Sequence, residues 1–576
     1  MSTTSTKSRA KKKPGPATED ASGDGFSVLK WRIASASILI TGAFLRLYDL
    51  GLVPFHHDEG VNGNFLVALV REGRYQYDPQ NYHGPTLYFF SAVIPWIVRF
   101  FGGKSAGDAY GLTTFNIRLI TVAFGVATIW LALLLRKRLS AIGALSAAGL
   151  IAISPGAVYL SRYFIHESLY VFFGLAIVVA ALKYYDSGNS VYLILAAISA
   201  ALMTATKETW VINGPVLLIA LVLTNLSCKP RIRLWSRKSL DAIGTVFLIL
   251  LLIALAPISG VYLIFRHKGF QIDAIDRVDK RLERFGGLTA VITVALVALA
   301  VFLIVNVLFY SSFFTNYPKG VADALSTLKF WSHRTHEHEH PWWQYIQWLI
   351  QEEPAVLALA VWGAAIAVWR GTNRLAVFLA LWSFGLLAAY SLVGYKTPWI
   401  TLNFIVPLAL TGGYAFDTAY QKLREFEQPR LLLGVAALTV AISGYQMISL
   451  NFVHYDDDRY PYVYAHTKRE LLTMLDQVDR IAKRMKTGDD TGVALVSPDY
   501  WPLPWYFRNY KRVGYYQQIV PTSEPIIIGS MAQAEQLKSA FGDRYQMVNS
   551  GLNDDGSYPL RPGVDLLLYV RRDVAR

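Results

Sequence analysis

The sequence predicts an all-α polytopic membrane protein of about 11 to 13 transmembrane helices that carries a small C-terminal α/β domain outside the membrane. Three observations predict it. Of 576 residues, 53% are hydrophobic and only 17% charged, a balance foreign to soluble domains. The apolar residues come in runs of roughly 18 to 25, the length of a helix that crosses a bilayer. From residue 451 onward the chain turns polar and the runs stop.

The elements follow in order. Residues 1–26 are polar, with a Lys11-Lys12-Lys13 cluster, and read as a disordered cytoplasmic tail rather than a signal peptide. Apolar runs lie at 33–50, 117–135, 141–160, 168–184, 191–206, 210–226, 240–265, 288–310, 355–369, 375–393, 401–419 and 431–450. In lipid their backbone groups must be satisfied within each run, so they are expected as helices. The loops at Arg136-Lys137-Arg138, 228–238, 266–286 and 422–430 are basic and belong inside; 51–116 and 311–354 are long, sparsely basic and belong outside. One run resists this pattern. Both flanks of 240–265 are basic, yet 26 helical residues reach only about 39 Å, too short for two crossings. A break at Ala256-Pro257-Ile258-Ser259-Gly260 would make it a re-entrant or short hairpin. The membrane domain is then 27–450, with 11 spans and one ambiguous element. Residues 451–576 form the outer domain, with a helix expected at 466–486 and strands at 492–496 and 525–528.

A single cysteine, Cys228, excludes an intrachain disulfide. The net charge of +14 would suggest nucleic acid in a soluble chain. Here the positive-inside loops account for it, and no nucleic-acid partner is expected.

Chemistry concentrates in the outer loops. Asp58 and Glu59, in Pro54-Phe55-His56-His57-Asp58-Glu59-Gly60, lie just past the first helix. A carboxylate beside lipid is costly and serves a purpose there: a general base or a metal ligand. The competing reading is that Asp58 caps the next helix. Arg162 and Glu167, in Ser161-Arg162-Tyr163-Phe164-Ile165-His166-Glu167, occupy a second outer turn, where an interfacial salt bridge is the plainer reading. Lys207 in Thr206-Lys207-Glu208-Thr209-Trp210 and Lys396 in Gly394-Tyr395-Lys396-Thr397-Pro398-Trp399 are snorkelling lysines or phosphate contacts. All four sites share the outer face, and one shared site explains them better than four separate accidents. The His-rich stretch 333–340 offers His336, His338 and His340 as metal ligands if it is a strand; a polar interfacial loop is the alternative.

At Asp58-Glu59 and Ser161-Arg162-Tyr163…Glu167 the chain resembles the multi-spanning glycosyltransferases that use polyprenyl-phosphate sugars. These are the GT-C fold enzymes, among them protein O-mannosyltransferases and aminoarabinose transferases. It is most similar to an archaeal and bacterial subgroup associated with flipping of lipid-linked oligosaccharides. The likeness covers most of 33–420. The family usually has Asp where Glu167 stands, Lys-Gly at Lys207-Glu208, and Lys-Pro-Pro where this chain has His83-Gly84-Pro85, which makes His83 the candidate donor-binding substitute.

The resemblance implies inverting transfer to an acceptor hydroxyl on the extracytoplasmic face of a prokaryotic plasma membrane. Asp58 would be the base, with Glu167 orienting the acceptor or sharing that role. Arg162, Lys207, Lys396 or a divalent ion would offset the leaving phosphate. The implied partners are a polyprenyl-phosphate-linked sugar donor, a lipid, glycan or protein acceptor, and the bilayer, in which the lipid tail would occupy a groove between helices. Two further readings stand beside it. One is a transporter of lipid-linked glycans without bond chemistry. The other is a scaffold that binds sugar through the aromatic run Tyr500-Trp501-Pro502-Leu503-Pro504-Trp505-Tyr506-Phe507, which could equally pack the domain on the membrane surface.

Overall fold

The structure, a computed structural model, describes residues 26–80, 83–106, 111–228, 287–333 and 339–574. The tail expected at 1–26 falls almost wholly outside the described residues, and the ambiguous run 240–265 does so entirely. The membrane part opens with α1 (Val28–Leu47), α2 (His57–Glu72), α3 (Thr86–Ala106), α4 (Thr114–Leu133), α5 (Arg136–Ile153) and α6 (Pro155–Ser161). It continues through α7 (Glu167–Ser187), α8 (Val191–Thr204), α9 (Trp210–Ser227), α10 (Gly287–Tyr310) and α11 (Lys319–His333). It closes with α12 (Gln344–Glu352), α13 (Pro354–Arg370), α14 (Arg374–Leu392), α15 (Leu402–Glu425) and α16 (Leu431–Ile448). Among the described residues, 9 helices are long and apolar enough to cross a membrane, or up to 11 if each of two bent pairs is one span.

Local chemistry sets the boundaries. Ser27 Oγ accepts from Lys30 N and starts α1; Thr113 Oγ1 accepts from Asn116 N and starts α4. The bends fall at prolines: 59° between α5 and α6 at Pro155, and 114° between α12 and α13 at Pro354. Proline cannot continue the preceding helix but suits the first position of the next.

At the centre runs α15, in which every residue from Leu402 to Phe416 is buried. A helix apolar on all sides belongs in the middle of a bundle. Its approach to α5 depends on glycine: a Cβ on Gly413 would stand 2.4 Å from the Gly143 carbonyl oxygen. Lipid offers no hydrophobic drive between helices, so such close packing supplies the association.

Helix ends sort into two sets. Arg118, early in α4, donates to the carbonyls of Leu50 (2.9 Å) and Val53 (3.0 Å), just beyond α1. The end of α1 and the start of α4 therefore meet at one end of the bundle, and the chain between them makes no net crossing. The expected loop at 51–116 is in fact two helices. The second of them, Thr86–Lys104, is long and apolar enough to span, yet it lies along this end. Its exposed side carries Trp96, Ile97, Phe100 and Phe101, the pattern of an interfacial helix. Tyr310 at the end of α10 donates to the Thr204 carbonyl at the end of α8 (2.9 Å). Since α9 departs from this end and α10 returns to it, the described chain breaks off after Cys228 and resumes at Gly287 at the same, opposite, end.

The C-terminal domain comprises α17 (Leu471–Arg484), β1 (Gly492–Leu495), α18 (Leu503–Tyr506), β2 (Arg512–Tyr515), β3 (Ile526–Ser530), α19 (Ala534–Phe541), β4 (Tyr545–Val548), β5 (Tyr558–Arg561) and β6 (Val564–Arg571). The sheet order is β2-β1-β3-β6-β4, with β5 also on β6; β2, β1 and β3 are parallel and β6 runs against β3, β4 and β5. α17 packs Leu471, Met474 and Val478 on one face; α19 packs Leu537 and Phe541 on the other. With both faces covered, β1 and β3 are buried along their whole length, which is why they read as unbroken apolar runs. The domain docks on the site end of the bundle. Trp505 stacks on Phe55 at 4.6 Å, and Arg508 Nε donates to the Leu112 carbonyl (3.1 Å).

Candidate active site

The first turn of α2 is the centre of this end. His56 Nδ1 accepts from Asp58 N (3.0 Å), so its proton sits on Nε2, which donates to the Tyr464 carbonyl (3.2 Å). The helix cap is thus His56, and Asp58 is not spent on that duty. Glu59 reaches back to accept from His56 N (3.0 Å), completing a capping box. It also accepts from Phe164 N (2.7 Å) and from Arg118 Nε (2.8 Å) and Nη2 (2.6 Å). Both side chains of the pair are wholly buried. Four donors use up a carboxylate's acceptor sites, so Glu59, expected among the catalytic acids, serves instead as the tie between α2, α4 and the 161–168 turn. One residue is about 100° of helix. That rotation leaves Asp58 half-buried, within electrostatic reach of His57, Tyr88 and Tyr163. Burial pushes His57 down to about 4 against the pull of Asp58, so the ring beside Asp58 is neutral at neutral pH.

The second turn departs from expectation at Arg162. Its guanidinium donates to the carbonyls of Leu45 (3.2 Å), Tyr48 (2.5 Å) and Asp49 (2.8 Å) and lies 4.7 Å over Phe452. The last carbonyls of a helix lack partners, and a planar fork of donors fits them. Arg162 closes α1 with its two terminal nitrogens, while its buried Nε has no hydrogen-bond partner among the described residues. Glu167 behaves as a paired group: its carboxylate accepts from Lys207 Nζ, and both side chains are buried.

Beside that pair, His83 Nδ1 lies 2.9 Å from Glu208. Burial raises the Glu208 carboxyl, but His83 and then Lys207 outweigh it and hold it below the usual carboxylate range. The strand-like stretch at 84–86 runs along 205–206, with Gly84 N donating to the Thr206 carbonyl (3.0 Å) and Thr86 N to that of Ala205 (3.3 Å). His166 Nε2 donates to the Gly84 carbonyl (3.0 Å), while its Nδ1 is buried with no hydrogen-bond partner. Lys396 donates to the carbonyls of Val393 and His340 and lies 5.9 Å from the Tyr345 ring; burial lowers its pKa. Trp399, in the same loop, stands 5.9 Å from His56.

The structure therefore gathers Asp58, Glu59, His83, Arg162, Glu167, Lys207 and Lys396 at one end of the bundle, and assigns Glu59 and Arg162 to holding it together. His336 and His338 lie outside the described residues. His340 offers its carbonyl to Lys396, and its ring packs 5.6 Å from Trp348. Among the described residues no group of three His, Cys, Asp or Glu side chains is placed to hold a metal ion. Two residues of consequence escaped the sequence reading. Arg118 was visible as a cation at the mouth of an apolar run. Asn62, which joins the Tyr88 hydroxyl (2.8 Å) to the Phe164 carbonyl (3.0 Å), carried no such signal.

A many-helix membrane bundle with ionisable loops gathered at one end, under an α/β domain, defines a class of membrane protein whose solved members can be compared. Over residues 92–260 the chain matches the family described as dolichyl-phosphate-mannose-protein mannosyltransferase. No curated protein sequence matches it. Among solved structures it is similar to ArnT from Cupriavidus metallidurans bound to undecaprenyl phosphate, with TM-score 0.60, 12% identity, and coverage of 94% of this chain and 98% of that one. It is also similar to the oligosaccharyltransferase AglB from Archaeoglobus fulgidus in complex with an inhibitory peptide and a dolichol-phosphate, with TM-score 0.52, 14% identity, and coverage of 93% and 74%. The chain shares the overall fold of these two structures, the fold that the resemblance implies.

Proposed function

We propose that this protein is a membrane glycosyltransferase that moves a sugar from a polyprenyl-phosphate donor to an acceptor hydroxyl at the extracytoplasmic face, with inversion. The observation that supports it most is the division of labour at Asp58-Glu59. Glu59 is locked by Arg118 and two backbone donors, and this fixes the turn that presents Asp58 beside a neutral His57.

Asp58 takes the proton of the acceptor hydroxyl as its oxygen attacks the anomeric carbon. The bond from that carbon to the phosphate oxygen breaks, and polyprenyl phosphate leaves with the electron pair. An ammonium has three donors. Lys207 uses one on Glu167 and Lys396 two on carbonyls, so each retains capacity for a phosphate oxygen. Such preset charge stabilises the leaving group most in the transition state. His83, held by Glu208, takes the place of a lysine at the same wall. The prenyl tail has a place as well. An apolar groove of about 610 Å³ between α9, α13 and α14 is lined by Val216, Leu223, Val368, Phe384 and Leu392, and Leu392 stands at the site end of α14.

The test is sugar transfer by the purified protein in lipid, with polyprenyl-phosphate sugars as donors and Asp58→Asn as the paired control. Acceptor-dependent release of polyprenyl phosphate by the wild type, lost in a folded Asn variant, supports the reading. If no donor is cleaved while lipid-linked sugar crosses the same vesicles, the protein is a transporter and Asp58 a binding residue.

A further inference from the structure

The aromatic run at 500–507 divides in two. Leu503, Trp505 and Phe507 are buried: Leu503 and Phe507 in the core of the domain, and Trp505 against the bundle at Phe55 and Thr114. Tyr500 and Trp501 are only half-buried and belong to a different construction. They lie in the loop leaving the carboxyl end of β1. Tyr515 and Gln517 lie at the carboxyl end of the neighbouring parallel strand β2. Tyr500 stacks with Trp501 at 5.6 Å and 28° and meets Tyr515 at 5.3 Å; Gln517 Nε2 donates to the Tyr500 hydroxyl (3.3 Å). At the rim, Arg561 Nη2 donates to Asp499 (2.5 Å), whose side chain is 47% exposed.

This shelf abuts the proposed base. A Cβ on Gly60 would stand 2.6 Å from Pro502 Cβ and 3.2 Å from the Trp501 ring, and His57 lies 6.2 Å from that ring. Asp499 and Arg561 are within electrostatic reach of His57. Open α/β sheets bind their ligands outside the carboxyl ends of the parallel strands, and here those ends face the turn that carries Asp58.

Resting on the transferase reading above, we infer that the acceptor is a carbohydrate, seated on a platform of Tyr500, Trp501 and Tyr515 with Asp499, Arg561 and Gln517 along its edge. A pyranose has an apolar face of C–H bonds, slightly positive, that suits the negative face of an aromatic ring. Its rim carries adjacent hydroxyls, each donor and acceptor, which suit an exposed carboxylate–guanidinium pair.

The test uses the full chain in lipid nanodiscs and reads binding by saturation-transfer NMR and calorimetry. The probes are mannotriose, maltotriose and chitotriose, with a Ser/Thr-rich peptide as rival. The expected result is saturable binding of at least one trisaccharide, weakened tenfold or more in both Tyr515→Ala and Asp499→Ala at unchanged melting temperature. Those positions are chosen because Trp501→Ala would also loosen the contact at Gly60. No trisaccharide binding, equal binding by both variants, or displacement by the peptide overturns the inference. The two readings fail separately. Trisaccharide binding with no donor cleavage sinks the transferase and keeps the platform. Transfer to a non-carbohydrate hydroxyl at the same rate in Tyr515→Ala sinks the platform and keeps the transferase.

Discussion

Two turns at the same end of the bundle solve the same problem in opposite ways. At the start of α2, two adjacent carboxylates are separated by helix rotation: Glu59 is sealed against Arg118 and Asp58 is left half-buried. At the turn after α8, two adjacent charges stay together. Lys207 pairs with Glu167 and Glu208 with His83, so that each charge is held by a partner from another segment. The first arrangement yields one reactive group on a rigid base. The second yields a set of matched charges that can exchange partners when a phosphate arrives. Sequence adjacency is the same in both; what differs is whether the neighbour is spent.

The sharpest way to break this contrast is to change each carboxylate of the first turn in isolation. Asp58→Asn should lower transfer by about 10² to 10⁴-fold, the usual contribution of a general base, with no change in the melting temperature. Glu59→Gln leaves the Arg118 charge uncompensated and should destabilise the fold by about 3–5 kcal/mol; thermal unfolding in detergent measures it. If the two variants behave alike, the division of labour is wrong. At the second turn, Lys207→Met and Glu167→Gln should each raise the donor KM about tenfold, or about 1.4 kcal/mol. The double variant should do little more than either single one, because the partners act as a unit. Additive losses would separate them.

Arg162→Met tests whether the carbonyl contacts are the whole of that residue's role. Three carbonyls at the end of α1 would lose their donor, at a cost of about 1–3 kcal/mol, with the donor KM unmoved. A raised KM at constant stability would return Arg162 to the phosphate. A separate effect concerns acid. Burial, and next the neighbouring His56, holds His466 down to about 3 from an ordinary 6.5. The unfolded chain therefore takes up a proton that the folded one refuses. Stability should fall as pH drops from about 6.5 toward 3, and His466→Gln should flatten that slope in a series of melting curves.

The spans were legible because a bilayer imposes a length and a polarity that survive any detail of packing. α2 and α3 were not read as elements within the expected outer loop 51–116; the bonds from Arg118 to the Leu50 and Val53 carbonyls bring the two ends of that stretch together. Asp58, Glu167, Lys207 and Lys396 stood out in the sequence as ionisable residues at helix ends, and the structure brings them to one end of the bundle. The carbonyl contacts of Arg162 escaped the sequence for a plain reason. A cation's partner can be a run of backbone carbonyls in another helix, and carbonyls have no letter in the sequence. The same limit applies to the 500–507 run, where two jobs share eight residues and alternate only once the domain is docked.

The docking itself sets an order of events in the cell. Three contacts from the C-terminal region finish the first turn of α2: the Tyr464 carbonyl fixes the His56 proton, the Tyr506 hydroxyl accepts from Phe55 N (2.9 Å), and Pro502 sits against Gly60. These residues leave the ribosome some 400 residues after the helix they complete. A nascent chain with all its spans inserted still lacks these three contacts, and the first turn of α2 is complete only once residues 464–506 have docked against it.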